Sequence, residues 1–285
     1  MVATTSTMDG KICLITGATS GIGLVTAQAL AQRGATVVVV ARNPNRGAAV
    51  VARIIQETGN EAIELLTADL SSQAQITQLA QTVQRRFDRL DVLVNNAGAM
   101  FTQRQISVDG IEMTFALNHL GYFLLTHLLL ALLQATGAAR IVNVASNAHW
   151  PGRIHFDDIQ GEHRYGGWRA YCQSKLANVL FTYELASHLV GTDVTANVLH
   201  PGFVATNFGM YNTGVLPRLI RIGQMFALSP TRGAETTIYL ATASEVADLT
   251  GLYFVKKRAV RSSPASYDQT TARRLWQLSE GMAGL

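Results

Sequence analysis

Tyr171 and Lys175 stand four residues apart in the string Tyr171-Cys172-Gln173-Ser174-Lys175. On a helix that spacing puts the phenol and the ammonium one above the other on the same face. A free phenol, with a pKa near ~10, exchanges protons poorly at neutral pH. A neighbouring ammonium favours the phenolate and draws that value down, so the expectation is a tyrosine tuned by Lys175 for acid/base work. Two further side chains suit the same chemistry. Ser146 closes an apolar run, where its hydroxyl can hold a carbonyl oxygen or a developing alkoxide. Asn118 falls inside a long apolar stretch, a mildly unfavourable place for a helical asparagine, and there it can hold a water against Lys175.

A second string, Thr16-Gly17-Ala18-Thr19-Ser20-Gly21-Ile22-Gly23, lies between an apolar run and a helical one. Its glycines tolerate unusual dihedrals and let a phosphate approach the backbone. The helix that follows offers free amides and the positive end of its dipole. Thr19, Ser20 and Ile22 complete this turn. The spacing is G-x-x-x-G-x-G rather than G-x-G-x-x-G. The next apolar run ends Val40-Ala41-Arg42-Asn43, with no carboxylate to bond a ribose 2′-hydroxyl. Arg42, helped by Arg46, can instead pair with a 2′-phosphate.

The elements that must carry these residues alternate along the chain. Apolar runs predict strands at Lys11–Thr16, Thr36–Ala41, Ala62–Thr67, Asp91–Asn95, Arg140–Ser146, Val194–Leu199 and Gly251–Val255. Helical patterns fall between them, among them Gly110 to Gln134 and Trp168 to Leu189. Strand–helix alternation implies a single doubly wound, Rossmann-like α/β domain with a parallel seven-stranded sheet. Ligands on such sheets bind beyond the carboxyl ends of the strands. Gly17, Arg42, Asp69, Asn95, Ser146 and Pro201 each follow or close a predicted strand.

With 285 residues, 48% of them hydrophobic, the chain can bury a large core. A net charge of +4, spread along the chain, does not suggest nucleic-acid binding. The densest basic run, Lys256-Lys257-Arg258 with Arg261, reads as a solvated terminal stretch. Cys13 and Cys172 lack metal or redox spacing, which fits a reduced, cytoplasmic protein. His149, His155 and His163 read as ordinary loop or cleft-lining histidines, and no metal is expected. Residues 1–10 are polar and are expected to be flexible, without a signal-peptide core. Leu120 to Leu133 is too short to span a bilayer and reads as a buried helix. No transmembrane segment is therefore expected, although peripheral membrane contact is compatible with the sequence.

Taken together these motifs resemble the short-chain dehydrogenase/reductase family, over nearly the whole of Lys11 to about Val255. The resemblance implies that Thr16–Gly23 bind the pyrophosphate of a nicotinamide cofactor, NADP(H) given Arg42 and Asn43. It implies that Asp69, with Leu70, meets the adenine, and that Asn95, Ala97 and Gly98 line the cofactor cleft. It makes Asn118, Ser146, Tyr171 and Lys175 the catalytic tetrad, with Tyr171 and Lys175 also touching the cofactor. Pro201, Gly202, Val204 and Thr206, in the P-G-x-V-x-T string, are placed on the nicotinamide side. A finer similarity is to the retinol-dehydrogenase-like branch, carried by Leu117–Gly121, Ala145–His149, Ala170–Leu180 and Leu199–Gly202. Membrane-bound members of that branch carry an N-terminal hydrophobic anchor, and no such anchor is expected here. The implied substrate is a small hydrophobic carbonyl or alcohol; the apolar segment near 207–228 reads either as a lid over it or as core or subunit packing. The implied assembly is a homodimer or homotetramer through the faces of the helices at Leu124–Leu133 and Trp168–Leu189. A light-dependent protochlorophyllide-reductase-like enzyme and a non-catalytic NADP(H)-sensing protein remain alternative readings.

Overall fold

Val37, Val38, Val39 and Val40 send alternate side chains to opposite faces of their strand and all four are buried. A strand with no solvent face belongs inside a sheet covered on both sides. The computed structural model describes residues 7–203 and 228–285, and it places this strand there. The elements run β1 (Ile12–Thr16), α1 (Gly21–Ala31), β2 (Thr36–Ala41), α2 (Pro44–Thr58), β3 (Ile63–Thr67), α3 (Gln73–Arg86) and β4 (Val92–Asn95). They continue with α4 (Met113–Phe115), a π turn (Ala116–Leu120), α5 (Gly121–Thr136), β5 (Arg140–Val144), α6 (Gly167–His188) and β6 (Thr195–His200). Last come α7 (Pro230–Thr242), β7 (Tyr253–Val255), β8 (Arg258–Val260) and α8 (Gln269–Ala283). Val204, Thr206 and the expected lid, Leu228 apart, lie outside the described residues.

The sheet order is β3-β2-β1-β4-β5-β6-β7-β8. The chain reverses its direction of travel across the sheet between β1 and β4, which pair in parallel through Cys13↔Val92 to Ile15↔Val94. A crevice opens at the carboxyl ends of such a pair. One face of the sheet packs Leu14, Val38, Leu93 and Ile141 under α3, α5 and α6. The other packs Cys13, Ile15, Val39 and Val142 under α1 and α7. Cys13 and Cys172 are both buried and free.

The sheet has eight strands rather than seven, and its last pair is antiparallel. Lys256 and Lys257, with φ of 49° and 64°, form the left-handed two-residue turn of a β7–β8 hairpin. Hairpins favour that turn because its twist matches the strands, and asparagine or glycine usually signals it. Two lysines gave no such signal, so the basic run expected to be a solvated terminal stretch is a turn entering an edge strand. Residues 7–10 are likewise integrated, since Met8 is buried and its amide donates to the Arg33 carbonyl at 2.8 Å.

The helix expected from Gly110 to Gln134 is divided. The buried Glu112 carboxylate accepts from the Thr114 and Phe115 amides at 2.9 and 2.8 Å, and so starts α4. The π turn then carries Asn118 and His119 before α5 begins. Single π turns within helices recur at functional sites.

The terminal helix α8, not anticipated from the sequence, covers apolar surface on α5 and α6. The Trp276 ring lies 5.0 Å from Phe123, 5.9 Å from Phe181 and 4.4 Å from His188. Beneath it, His119 Nε2 meets Ser279 Oγ at 2.9 Å. Part of the face expected to join subunits is thus packed within the chain. Trp276→Ala is expected to destabilise the fold by about 3 kcal/mol, the usual scale for removing a packed tryptophan. Urea unfolding measures that loss, and an unchanged midpoint would show that α8 contributes nothing to the core.

Candidate active site

At the end of β1, Thr16 clips the two strands that flank the crevice. Its hydroxyl accepts from the Asn96 and Ala97 amides at 2.8 and 3.0 Å, and Asn96 Nδ2 returns a bond to the Thr16 carbonyl at 2.8 Å. That closeness fixes the neighbouring glycines. Gly17 has φ 65°, and a Cβ there would stand 2.8 Å from the Ala97 Cα. A Cβ on Gly23 would stand 2.5 Å from the Gly17 carbonyl oxygen and 2.6 Å from Asn96 Nδ2. These two positions must therefore be glycine for packing alone, whatever ligand the turn receives.

Ser20 occupies the N-cap of α1 but its side chain caps no amide. Asn43, Ser72, Ser229 and Asp268 all cap the helices they precede. The first-turn amides of α1 are thus left to an outside acceptor, at the helix end that favours anions. Thr19 and Gly21 are partly exposed beside them, while Ile22 turns into the protein. At the end of β2, the half-exposed Arg42 guanidinium lies 4.0 Å from the Asp69 carboxylate. Asn43 Oδ1 is engaged by the Arg46 amide at 3.0 Å. Asp69 Oδ1 accepts from the Ser71 amide and hydroxyl at 2.9 and 2.7 Å, and Leu70 is buried.

Asn95 sits differently from the expectation. It is fully buried, and its Nδ2 donates to Thr126 Oγ1 and to Asn143 Oδ1, both at 2.9 Å. Asn143 passes the chain on to Thr182 at 2.9 Å. The Asn95 side chain thus braces β4 against α5, β5 and α6, turned away from the cleft that it was expected to line. Ala97 is half-buried against the core and Gly98 is exposed, and a Cβ on Gly98 would approach Asn118 Oδ1 at 3.2 Å and Lys175 Nζ at 3.4 Å. Pro201 and Gly202 follow β6 at the same edge of the sheet.

The reacting end gathers on α6, the π turn and the end of β5. Lys175 is buried and its Nζ donates to the Val144 carbonyl at 3.0 Å. The same nitrogen stands 5.7 Å from the centroid of the Tyr171 ring. Burial draws the Lys175 pKa down to about 7. Burial pushes the Tyr171 phenol well up, and the hydrogen bond with Ser146 offsets this only in part. The sequence pattern alone predicted a phenol lowered by an ammonium. The structure departs from that, because removal from water penalises both charged forms. Ser146, partly exposed, also accepts from the Ala148 amide at 3.1 Å.

Asn118 is fully buried within the π turn. Its Oδ1 accepts from the Ala99 amide at 2.9 Å, and its Nδ2 donates to the Ala99 carbonyl and to Ser174 Oγ at 2.9 and 3.0 Å. Both amide protons are taken by the protein. The side chain thereby fastens the loop after β4 to α6, which leaves an Oδ1 lone pair or a backbone carbonyl for the expected water. Three exposed aromatics lie nearby in the chain: Trp150 and Phe203 in loops and Trp168 in the first turn of α6. The Trp168 ring is 6.0 Å from that of Tyr171. Among the described residues no three histidine, cysteine, aspartate or glutamate side chains converge as a metal site.

Sequence reasoning gave no positioning role to His200 or Tyr253, and it read His149 as an ordinary histidine. His200 Nδ1 accepts from the Asn147 amide at 3.1 Å, and Tyr253 donates to Asn147 Oδ1 at 3.0 Å. Both hold the turn after Ser146. Their only sequence signal was their place at or beside the ends of strands.

The family profile of short chain dehydrogenases matches residues 11–213. The chain belongs to the short chain dehydrogenase family. Human retinol dehydrogenase 13 is 41% identical over 287 residues, covering 98% of this chain and 86% of that protein. Human retinol dehydrogenase 14 is 40% identical over 296 residues, with 98% and 88% covered. Among solved structures, an uncharacterized protein from Mycobacterium Paratuberculosis superposes with a TM-score of 0.80 at 34% identity, covering 99% of this chain and 96% of that one. The Pseudomonas aeruginosa RhlG/NADP active-site complex does so at 0.68 and 29% identity, covering 87% and 95%. The chain is thus an oxidoreductase of a family that uses NAD or NADP.

Burying Lys175 has a measurable consequence. Its folded pKa, about 7, lies below the value of 10.5 for an exposed lysine. Between those values the unfolded chain holds a proton that the folded one has lost, so this group makes stability rise with pH. Lys175→Met is expected to raise the urea midpoint of the ligand-free protein at pH 7, with the gain shrinking toward pH 10. A gain independent of pH would show that the lysine is not desolvated.

Proposed function

We propose that the protein is an NADP(H)-dependent oxidoreductase interconverting a carbonyl and an alcohol on a hydrophobic substrate. The observation that carries the chemistry is the convergence of Ser146, Tyr171 and Lys175 at the carboxyl edge of the sheet, beside an uncapped helix N-terminus. When bound, the nicotinamide cofactor supplies or takes the hydride. The rest falls to side chains of this chain. Ser146 and the Tyr171 hydroxyl bond the carbonyl oxygen, and Tyr171 gives that oxygen its proton in reduction or takes it back in oxidation. Lys175 adjoins the phenol and, in its protonated form, favours the phenolate. Asn118 keeps the loop that carries Gly98 against α6, so that Lys175 retains its place.

The choice of NADP(H) rests on Arg42 and on the lack of an acid at the end of β2. Arg42, close to Asp69, adds a cation where a 2′-phosphate would lie. Solved relatives include an NADP complex. The hydrophobic substrate is supported by the exposed Trp150, Trp168 and Phe203 and by the names of the retinol dehydrogenase relatives.

Tyr171→Phe keeps the ring and removes the proton. Turnover with NADPH and a hydrophobic aldehyde is expected to fall by roughly 10²–10⁴-fold, while calorimetric NADPH affinity stays near normal. Retention of turnover would exclude Tyr171 as the acid/base, and no turnover by the unmodified protein on any aldehyde, ketone or alcohol would favour a sensing role. In the unmodified protein NADPH should bind about 10- to 100-fold more tightly than NADH, the worth of a charge-assisted hydrogen bond. Arg42→Asp should remove that preference, and equal affinities at the outset would contradict the assignment.

A further inference from the structure

His149 is fully buried three residues beyond Ser146 and belongs to no part of the chemistry above. Its Nδ1 lies 2.7 Å from the Ser146 carbonyl oxygen, and its Nε2 accepts from the Ser263 amide at 3.0 Å. An amide proton pointing at Nε2 requires a bare lone pair there. The ring proton is therefore on Nδ1, donating to Ser146. A protonated ring would set two N–H groups face to face at Ser263, and burial, which lowers the His149 pKa, keeps the ring neutral. Ser263 is buried just beyond β8, in the short helical turn region before α8. The imidazole thus joins the backbone of the candidate catalytic serine to a segment more than a hundred residues away. Asn147, next to Ser146, is held by His200 and Tyr253.

We propose that His149 is a positioning residue for the hydride-transfer site, bracing the Ser146 backbone against the Ser263 amide so that the Ser146 hydroxyl stays on the Tyr171 phenol. This rests on the chemistry assigned to Ser146 and Tyr171 above. It gives the segment after β8 a part in catalysis, although that segment offers no side chain to the reacting atoms. The brace has two ends, and each can be removed separately. Ser263 has φ −63°, already the value that proline imposes. Ser263→Pro deletes the amide proton while leaving His149 in place, and Ser263→Ala keeps that proton. His149→Asn retains a donor near the Nδ1 position, whereas His149→Phe retains neither polar atom.

The test measures NADPH turnover with a hydrophobic aldehyde, NADPH affinity by calorimetry, and amide exchange of the 146–152 segment by mass spectrometry. His149→Phe and Ser263→Pro are each expected to lower kcat at least tenfold, with cofactor affinity within twofold of normal. The Asn variant should recover part of the loss, and Ser263→Ala should resemble the unmodified protein. In a Ser146→Ala background, where the hydroxyl is gone, His149→Phe should change kcat less than threefold. Such non-additivity marks residues acting as a unit, and a merely structural histidine would not produce it. An undiminished, additive loss in that background, or a Ser263→Pro variant with normal kcat, overturns the proposal. Exchange in the 146–152 segment should quicken in both brace variants, and unchanged exchange overturns the brace whatever the activity. Full turnover in Ser146→Ala alone would instead refute the role given to Ser146, an outcome separable from the exchange result.

Discussion

A lysine kept out of water is the constraint around which this site is built. A charged amine gains little from apolar surroundings, and Lys175 has the Val144 carbonyl as its hydrogen-bond partner in the protein. The fold leaves room for it by omission at Gly98, where any side chain would press on both Asn118 and Nζ. Asn118 reaches that place because the helix before α5 widens into a π turn. Its amide then ties the Ala99 backbone to Ser174, one residue before Lys175. Each feature is unfavourable or neutral for stability when taken alone. Together they hold an amine whose pKa burial draws to about 7 beside a phenol whose pKa burial has raised. Both groups are thereby sensitive to any charge that enters the cleft.

The fold was largely legible because its signals were local. The valines of β2, the glycine turn before α1 and the strand–helix alternation left little choice of architecture. The tetrad and the glycine string could be placed at the carboxyl edge for the same reason. What the sequence concealed depended on distant partners or unusual backbone. Two lysines at positive φ form a hairpin turn that composition does not announce. The π turn has no periodicity of its own to read. Asn95 shares a motif with cleft-lining residues, yet its partners Thr126 and Asn143 arrive from α5 and β5. The phenol's response to burial was also invisible, since spacing reveals a neighbouring charge but not the loss of solvent.

The described chain from residue 228 onward shows how elements that carry none of the proposed site residues can still shape a site. The β7–β8 hairpin extends the sheet, and α8 returns over α5 and α6, where Trp276 packs against Phe123 and Phe181. Between them lies the short run from Ser262 to Tyr267. Ser262 and Ser266 share a hydrogen bond, and Tyr183 of α6 bonds Ser262. The run is therefore fixed to α6, the same helix that carries Tyr171 and Lys175. A brace from this run to the turn after Ser146 refers the serine and the tyrosine to one rigid body.

The proposed cofactor end and the proposed reacting end meet in a single short stretch, Asn95 to Gly98. Asn95 is anchored in the core, Asn96 and Ala97 are clipped to Thr16, and Gly98 makes space for Asn118 and Lys175. The Gly17 turn leans on Ala97 so closely that it cannot shift without moving this stretch. Interiors packed at this density transmit displacement rather than absorb it. The amides at the start of α1 and the hydrogen bond at Lys175 are then separated by a short, closely packed path. That rigidity suits hydride transfer, in which donor and acceptor must be held within a narrow range of distance and orientation. Small residues at Gly17, Ala97 and Gly98 are what allow the α1 turn and Lys175 to approach one another so closely.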